Sequence, residues 1–129
     1  MKIKSIIIIV LLVLLISFAT WEEIFVKSSL KEISNMATEI KKEIEVNENL
    51  TPELKQKLDN LDKKWEKTEY IFCFLTNHND MKEIGDSICY AQTYFKQNNK
   101  DGVIERINLV IFYSESYSHI LSFSIQNII

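Results

Sequence analysis

Residues 26–44 read VKSSLKEISNMATEIKKEI, and this stretch carries the pattern that decides the fold. Its apolar residues follow one another at spacings of 4, 3, 4, 3 and 4 residues. They are Val26, Leu30, Ile33, Ala37, Ile40 and Ile44. Such spacing places them on one face of an α-helix, while lysines and glutamates fill the other faces. The stretch therefore predicts a helix that packs one face against neighbouring helices.

An uninterrupted apolar segment, residues 5–21, precedes this helix. No charged residue occurs between Lys4 and Glu22, and as a helix the segment would be about 26 Å long. The hydrocarbon core of a bilayer is about 30 Å thick, so the segment can span it when Lys4 snorkels. We therefore predict a membrane anchor in contact with lipid. Its side chains are Ile6, Ile7, Ile8, Ile9, Leu11, Leu12, Leu14 and Leu15, with Trp21 at the lipid–water boundary.

Two other structures fit an apolar segment at this position. A signal peptide would be cleaved near Ala19, because Ser17-Phe18-Ala19 matches the small residues of a cleavage site. Against cleavage, the sequence runs on from Thr20 without a helix breaker. A buried helix of a soluble protein is disfavoured, because a bundle this small cannot surround a helix that is apolar on all sides. The permanent anchor is favoured, and secretion after cleavage is the alternative.

Flanking charges predict the orientation of the anchor. Lys2 and Lys4 precede the apolar segment and Glu22 and Glu23 follow it, so the positive-inside rule places the N-terminus in the cytoplasm. Residues 22–129 would then form an extracytoplasmic domain, behind an anchor or signal sequence at 1–21. Two of the 15 basic residues precede that domain, which leaves it 13 against 18 acidic ones, a net charge of −5. This charge argues against nucleic-acid binding, which needs a basic patch.

Three further apolar stripes follow with the same spacing. Thr51-Pro52-Glu53 is a helix start, because threonine caps free N–H groups, proline fits the first turn and glutamate suits the positive helix end. The second stripe is Leu54, Leu58, Leu61, Trp65, Thr68, Phe72 and Leu75. The third is Met81, Ile84, Ile88, Ala91 and Phe95. The fourth is Ile104, Ile107 and Ile111, continued by Ser114 and Tyr117.

Turn-forming residues at 47–49, 77–80 and 98–102 separate the predicted helices. Short connections make neighbouring helices antiparallel. We therefore predict an all-α protein, in which an N-terminal transmembrane helix continues into an antiparallel four-helix bundle. Stacked helical hairpins are the alternative. With only 2 Gly and 1 Pro, the sequence excludes a β-sandwich, a β-barrel and a glycine-rich phosphate loop.

The C-terminal residues change to a period of two. Leu121, Phe123 and Ile125 alternate with polar residues, which is typical of extended or irregular chain. An up-down-up-down order of helices returns this tail toward the membrane, where we expect it to contact a partner. The predicted contact residues are Phe123, Ile125, Asn127, Ile128 and Ile129.

Four short motifs occur in order along almost the whole chain. They are Trp21-Glu22-Glu23, Trp65-Glu66-Lys67, Asn77-His78 followed by Ile84 and Ser87-Ile88, and a last group made of His119-Ile120, Leu121-Ser122-Phe123-Ser124 and Asn127-Ile128-Ile129. In this order they resemble the bacterial domain-of-unknown-function family numbered four-three-six-three. Gly85 and the serine-rich run 114–124 depart from that family's pattern, so a fourth helix that is weaker or ends earlier is expected here.

The resemblance implies a short protein with an N-terminal membrane helix and a helical remainder. It implies a low-GC Gram-positive source, which fits the Ile, Lys and Asn bias of the sequence. It implies no activity. It also implies a complex with a small multi-pass membrane protein, beside whose gene members of the family are encoded.

Side chains that could carry chemistry are few and scattered. Across a hairpin, Cys73 and Cys89 would be about 7.5 Å out of axial register, too far for a disulfide, so we expect two buried thiols. His78, Asp80 and Glu83 could bind a metal, but too few ligands are near in sequence. A role in the turn that caps the third helix is favoured.

Aromatic residues on the stripes are expected in the core. This holds for Trp65 and for four tyrosines that could otherwise line a ligand pocket. The tyrosines are Tyr90, Tyr94, Tyr113 and Tyr117. No nucleophile, base and orienting group can be assembled around His78 and His119, which lie at separate places in the chain. We expect no enzymatic activity, no cofactor and no metal.

Two functions from different classes fit these features. The first is an accessory or interaction subunit, anchored in membrane lipid and bound to a multi-pass membrane protein. The second is a ligand-binding or sensory bundle that signals through a membrane partner. The second must pass its signal sideways, because only about five residues would lie in the cytoplasm.

Overall fold

The structure of the protein, a computed structural model, describes residues 2–75 and 78–126, without the side chains of 78, 80 and 120–126. The described residues form four α-helices, α1 (Ile3–Val46), α2 (Pro52–Leu75), α3 (His78–Lys96) and α4 (Lys100–Gln126). Both α1 and α3 pack on α2 and on α4, which closes the four helices into a bundle. The all-α fold is thus confirmed, and the packing of α4 on α1 excludes the alternative of stacked hairpins.

Helix α1 is much longer than the bundle. Its 44 residues form a rod of about 66 Å, and it runs from the apolar segment into the bundle without a break. The first buried residue along it is Val26, and the last is Ile44. Only the C-terminal half of α1 therefore belongs to the core, and the predicted division at residue 21 falls inside one continuous helix.

The core is built from the predicted stripes of the first three helices. All six apolar residues of the α1 stripe are buried, and so are the α2 residues from Leu54 to Phe72. On α3 the stripe from Met81 to Ala91 is buried. Leu75 and Phe95, which end two of these stripes, are partly buried. Spacing alone therefore identified the core of three helices.

On α4, the buried stripe differs from the predicted one. Val103, Ile107 and Val110 are fully buried, whereas Ile104 and Ile111 are half-buried at its flank. The prediction is wrong by one position at two of its three isoleucines. The reason is that α4 packs on both α1 and α3, so that two adjacent positions in each turn face a neighbouring helix.

The helix ends use side-chain caps. The Leu54 backbone N–H donates to Thr51 Oγ1 at 3.2 Å, and Pro52 is the first residue of α2, so the predicted start is confirmed. At the start of α4, the Gly102 backbone N–H donates to Asn99 Oδ1 at 3.0 Å. These bonds satisfy N–H groups that a helix leaves unpaired in its first turn.

Two predicted turns are shorter than expected. Helix α3 begins at His78, so residues 78–80 are helical rather than part of the turn, and a cap at Asn79 or Asp80 is wrong. Helix α4 begins at Lys100, so residues 100–102 are helical as well. Gly102 serves a close approach rather than a turn, because a Cβ there would lie 2.6 Å from Tyr94 Cγ.

The predicted extended tail is also wrong, because α4 continues to Gln126. The period-two alternation of residues 121–126 does not produce a strand. A strand would need a partner for its backbone hydrogen bonds, whereas a helix that has already formed gains one internal bond with each added residue. The serine-rich run therefore extends α4 instead of ending it.

A glycine in the middle of α3 makes room for the largest core side chain. Trp65 is fully buried, which confirms its core role, and its indole lies against Gly85. A Cβ at position 85 would lie 2.7 Å from Trp65 Nε1. Gly85 therefore sets how closely α3 approaches α2.

We expect Gly85→Ala to destabilise the bundle by about 1–3 kcal/mol, because the added methyl group must displace a packed indole. Alanine is the better helix former by about 1 kcal/mol, so a loss of stability isolates the clash. Thermal unfolding of the full-length chain in detergent, followed by circular dichroism, measures the change. Cys89→Ala, at an exposed position of the same helix, is the control and should change stability little. A more stable Gly85→Ala variant would contradict the packing described here.

Candidate functional site

The apolar segment projects from the bundle with its side chains exposed. The predicted anchor residues are between 47% (Ile6) and 68% (Leu15) exposed, and no described residue covers them. Among the described helices, α1 alone is long and apolar enough to cross a membrane. A signal sequence near the N-terminus would share these properties.

A row of aromatic rings links the apolar segment to the core. The ring centroids of Phe18 and Trp21 are 5.9 Å apart, and those of Trp21 and Phe25 are 5.5 Å apart. Phe25 contacts Phe72 of α2 edge to face at 6.1 Å, and Phe72 contacts Trp65 at 6.2 Å. Aromatic contacts of this geometry stabilise a structure beyond the area they bury. The junction of segment and bundle is therefore packed and not a loose hinge.

Contacts between α1 and α2 fix their antiparallel register. Phe25 lies opposite Phe72, and farther along the pair Lys64 Nζ bonds to Glu32 Oε2 at 2.5 Å. Near the other end, the Lys57 ammonium bonds to Glu43, and this hydrogen bond raises the pKa of Lys57. These contacts place the end of α2 beside the outer end of the apolar segment.

Helix α4 returns to the same place. Lys100 Nζ, at its start, donates to the Asn47 carbonyl at 2.6 Å, and Ser34 Oγ donates to Glu115 Oε1 at 3.3 Å. Continued at the same rise, this register puts the backbone of Gln126 about level with Glu23. The end of α2, the start of α3 and the end of α4 together form what we call the proximal end of the bundle.

The structure places the predicted contact residues only in part. Phe123 and Ile125 lie on the last turns of α4, at the proximal end, by their backbone alone. Asn127, Ile128 and Ile129 lie outside the described residues. Their role as partner contacts stays a prediction.

Two exposed aromatic residues at the proximal end were missed by the sequence reasoning. Phe74 is 75% exposed and Tyr70 is 70% exposed, and their rings contact each other edge to face at 5.5 Å. They lie four residues apart on α2, on the face opposite its buried stripe. Their spacing of four residues could have identified them, since two large aromatic side chains are unusual on a helix face that otherwise carries charged residues.

A polar groove of about 590 Å³ runs between α1 and α4, just beyond the proximal end. Leu30 and the buried Ser114 line its floor, and charged or polar side chains line its rim. The rim residues are Lys27, Ser28, Lys31, Ser34, Asn35, Glu115, Ser118 and His119. The Ser114 hydroxyl is buried without a hydrogen-bond partner among the described residues.

Charges at the groove are nearly balanced. Lys27 Nζ bonds to Glu23 Oε1 at 2.5 Å, and the Glu115 carboxylate accepts the bond from Ser34. Lys31 makes no ion pair with any residue of the described part. Counting Lys27 with its partner Glu23, and Lys31 with Glu115, the charges at the rim sum to zero. Lys31, which has no ion pair among the described residues, suits a small singly anionic group.

The cysteines do not behave as predicted. Cys73 and Cys89 are both exposed, so the expectation of buried thiols is wrong. Each follows a fully buried residue, Phe72 or Ile88, and a step of one residue turns a helix by about 100° away from the core. No disulfide joins the two described cysteines to each other.

The side chains considered as metal ligands are described only in part. No group of three His, Cys, Asp or Glu side chains that could hold a metal ion occurs among the described residues. Glu83 is exposed on α3, and the side chains of His78 and Asp80 lie outside the description. His119 is exposed at the rim of the groove.

The four tyrosines do not line one pocket. Tyr90 and Tyr94 of α3 flank the Arg106 guanidinium, whose carbon lies 4.8 Å and 6.0 Å from their ring centroids. Tyr113 and Tyr117 stack on each other at 6.0 Å, about two turns farther along α4. The first pair holds a cation against aromatic faces, and the second covers part of the core.

A family model matches the sequence over residues 20–128, a region that begins at the end of the apolar segment and includes the bundle. Its description is domain of unknown function, DUF4363. The chain belongs to this family. The match confirms the family that the four sequence motifs resembled. No curated protein and no solved structure gives a significant match to this sequence.

We expect Ser114→Ala to stabilise the protein by about 1 kcal/mol, because it removes a buried hydroxyl that lacks a hydrogen bond. Ser87→Ala is the matched control. Ser87 is equally buried, but its Oγ donates to the Glu83 carbonyl at 2.7 Å, so its removal should bring no comparable gain. Thermal unfolding of both full-length variants gives the comparison. Equal effects would mean that the Ser114 hydroxyl is satisfied in solution.

Proposed function

We propose that this protein is a membrane-anchored, extracytoplasmic helical subunit that supports a membrane protein complex and has no catalytic activity of its own. The observation that carries the proposal is the continuity of α1. One helix presents an exposed apolar surface over residues 5–21 and a buried stripe over residues 26–44. Such a helix holds a bundle at a fixed place beside a bilayer.

The geometry of the junction favours an anchor over a cleaved signal peptide. Residues 17–24, around the potential cleavage site at Ala19, are helical, and Thr20 Oγ1 donates to the Ile16 carbonyl at 2.9 Å. A signal peptide is cleaved in extended chain. Cleavage would also remove Phe18 from the aromatic row that continues into the core.

Charges support an extracytoplasmic bundle. Two lysines precede the apolar segment, and two glutamates follow it. The net charge of −5 after residue 21 would also keep the sides of the bundle away from anionic lipid headgroups. The expected partners are membrane lipid around α1 and a multi-pass membrane protein near the proximal end.

The anchor predicts an uncleaved protein. A chain with an N-terminal tag, isolated from the membrane fraction, should keep the tag and residues 1–19, as measured by intact mass spectrometry. Leu11→Arg is the control, because a charge at the centre of the span costs about 2.5–3.5 kcal/mol and should reduce membrane retention. A secreted chain that begins at Thr20 would show that the segment is a signal peptide.

The accessory role predicts a stable partner. Isolation in mild detergent should recover a multi-pass membrane protein in stoichiometric amount, identified by mass spectrometry. Deletion of residues 124–129 should weaken this association, because the end of α4 lies at the proximal end. Phe112→Ser, at an exposed residue in the middle of α4, is the control and should leave it intact. Recovery of this chain alone, or an association unchanged by the deletion, would contradict the respective part of the proposal.

A ligand-binding function is the second candidate, and the groove between α1 and α4, with Lys31 at its rim, favours it. A ligand bound between α1 and α4 could shift one helix against the other and so signal to a partner. Inorganic phosphate and acetate serve as probes for the anionic group that the groove suits. A rise in melting temperature with either probe, lost in Lys31→Ala, would support this candidate, and the absence of any shift would weaken it.

A further inference from the structure

We propose that the proximal end of the bundle sits in the lipid–water interface, where Phe74 and Tyr70 contact lipid beside Trp21. The proposal deepens the membrane-anchored function and rests on it. It adds that α1 is not the sole part of the chain in contact with the bilayer. The bundle would stand on the membrane instead of extending away from it on a stalk.

The first argument is the height of these residues. Since Phe25 packs on Phe72, the antiparallel register puts Phe74 level with Glu23, about 3 Å beyond Trp21 along α1. The same register puts Tyr70 about 9 Å beyond Trp21. The headgroup region adds about 5–8 Å to each side of the hydrocarbon core. With Trp21 at the edge of that core, Phe74 lies within the headgroup region and the backbone of Tyr70 lies just outside it.

The second argument is exposure. Phe74 and Tyr70 are among the most exposed large apolar side chains outside the apolar segment. They contact each other, and their face of α2 points away from the core. A phenylalanine that is 75% exposed leaves most of its ring in water, which is unfavourable. Phenylalanine and tyrosine rings at headgroup level, in contrast, match the aromatic belts at membrane boundaries.

The third argument is the distribution of charge along the helices that reach the proximal end. Residues 62–69 of α2 contain six charged residues, and residues 70–79 contain none. Along α4, the last charged residue is Glu115, and residues 116–126 contain no Asp, Glu, Lys or Arg. The distal connection at 96–101, at the opposite end of the bundle, contains three charged residues. Charge is therefore absent from the ends of α2 and α4, where its desolvation would be costly. The start of α3 and the adjoining part of α1 do carry charged residues at this end, namely Asp80, Lys82, Glu83, Glu22 and Glu23.

These arguments favour lipid over a protein partner as the occupant of this surface. Phe74 and Tyr70 lie within about 9 Å of the height of Trp21, and charged residues are absent from the ends of both α2 and α4. A protein partner would need a complementary patch on one side, whereas a bilayer surrounds the whole proximal end. If a protein partner rather than lipid covers Phe74 and Tyr70, positions 74 and 70 should stay unquenched in vesicles that hold no partner.

The test places tryptophan reporters at different heights in the full-length chain. The protein is reconstituted in phosphatidylcholine vesicles with or without bromine near the headgroup end of the acyl chains. Bromine quenches indole fluorescence at short range. Phe74→Trp and Tyr70→Trp are made in a Trp21→Phe background, and the buried Trp65 gives a constant signal in all chains. The matched control is Phe112→Trp in the same Trp21→Phe background, at a residue that is 60% exposed and about 24 Å beyond Trp21.

The proposal expects a graded loss of reporter emission in the brominated vesicles. Trp21 of the original sequence should be quenched most, Trp at position 74 nearly as much and Trp at position 70 less, and Trp at position 112 should keep its emission. Far-ultraviolet circular dichroism confirms that each variant is helical. If Phe74→Trp does not fold, the comparison of positions 70 and 112 carries the test.

Two results would overturn the proposal, and they differ in what else they affect. If Trp21 is quenched but positions 74 and 70 behave like position 112, the membrane anchor is supported and the interfacial position of the proximal end is wrong. If no reporter is quenched, Trp21 included, both the interfacial position and the membrane-anchored function are wrong. The vesicles hold no other protein, so a loss of emission there cannot come from a protein partner.

Discussion

The fold depends on the packing of one face of α1 over residues 26–44. Both α2 and α4 lie against this helix, and the polar contacts of Glu32, Ser34 and Glu43 with those neighbours fix the register of each. Helix α3 completes the ring from the opposite side, with its close approach set by Gly85. Because the same helix carries the apolar segment, whatever fixes that segment also fixes the position of the whole bundle.

Much of this architecture follows from the sequence, because apolar residues recur at spacings of three and four residues along most of it. The heptad-like stripes predict three helices and their buried residues, and the Thr51 cap predicts where α2 begins. The errors fall where period and composition are weak guides. On α4, contact with two neighbouring helices buries Val103 and Val110 beside the predicted stripe. Over residues 121–126, alternating apolar and polar residues resemble a strand, yet no strand partner exists for them among the described residues.

The candidate site was harder to predict than the fold. The apolar segment is evident from its lack of charge, but the proximal end is assembled from residues far apart in the sequence. Phe74, Trp21 and the end of α4 lie at similar heights only because the helices alternate in direction and match in length. The polar groove likewise combines Lys31 with Ser114, and no local pattern relates those positions. The family match extends over these elements and assigns no activity to any of them.

The unbroken course of α1 has a mechanical consequence. Residues 3–46 contain no glycine and no proline, the usual causes of a kink, so the helix acts as a lever arm. With residues 5–21 in a bilayer, a change of about 10° in the tilt of α1 would displace its C-terminal end by about 11 Å relative to its N-terminal end, over a length of about 66 Å. Bilayers differ in thickness by a few Å, and transmembrane helices adapt to thickness by tilting. A rigid helix of this kind converts small differences in lipid thickness into large movements of the distal connections.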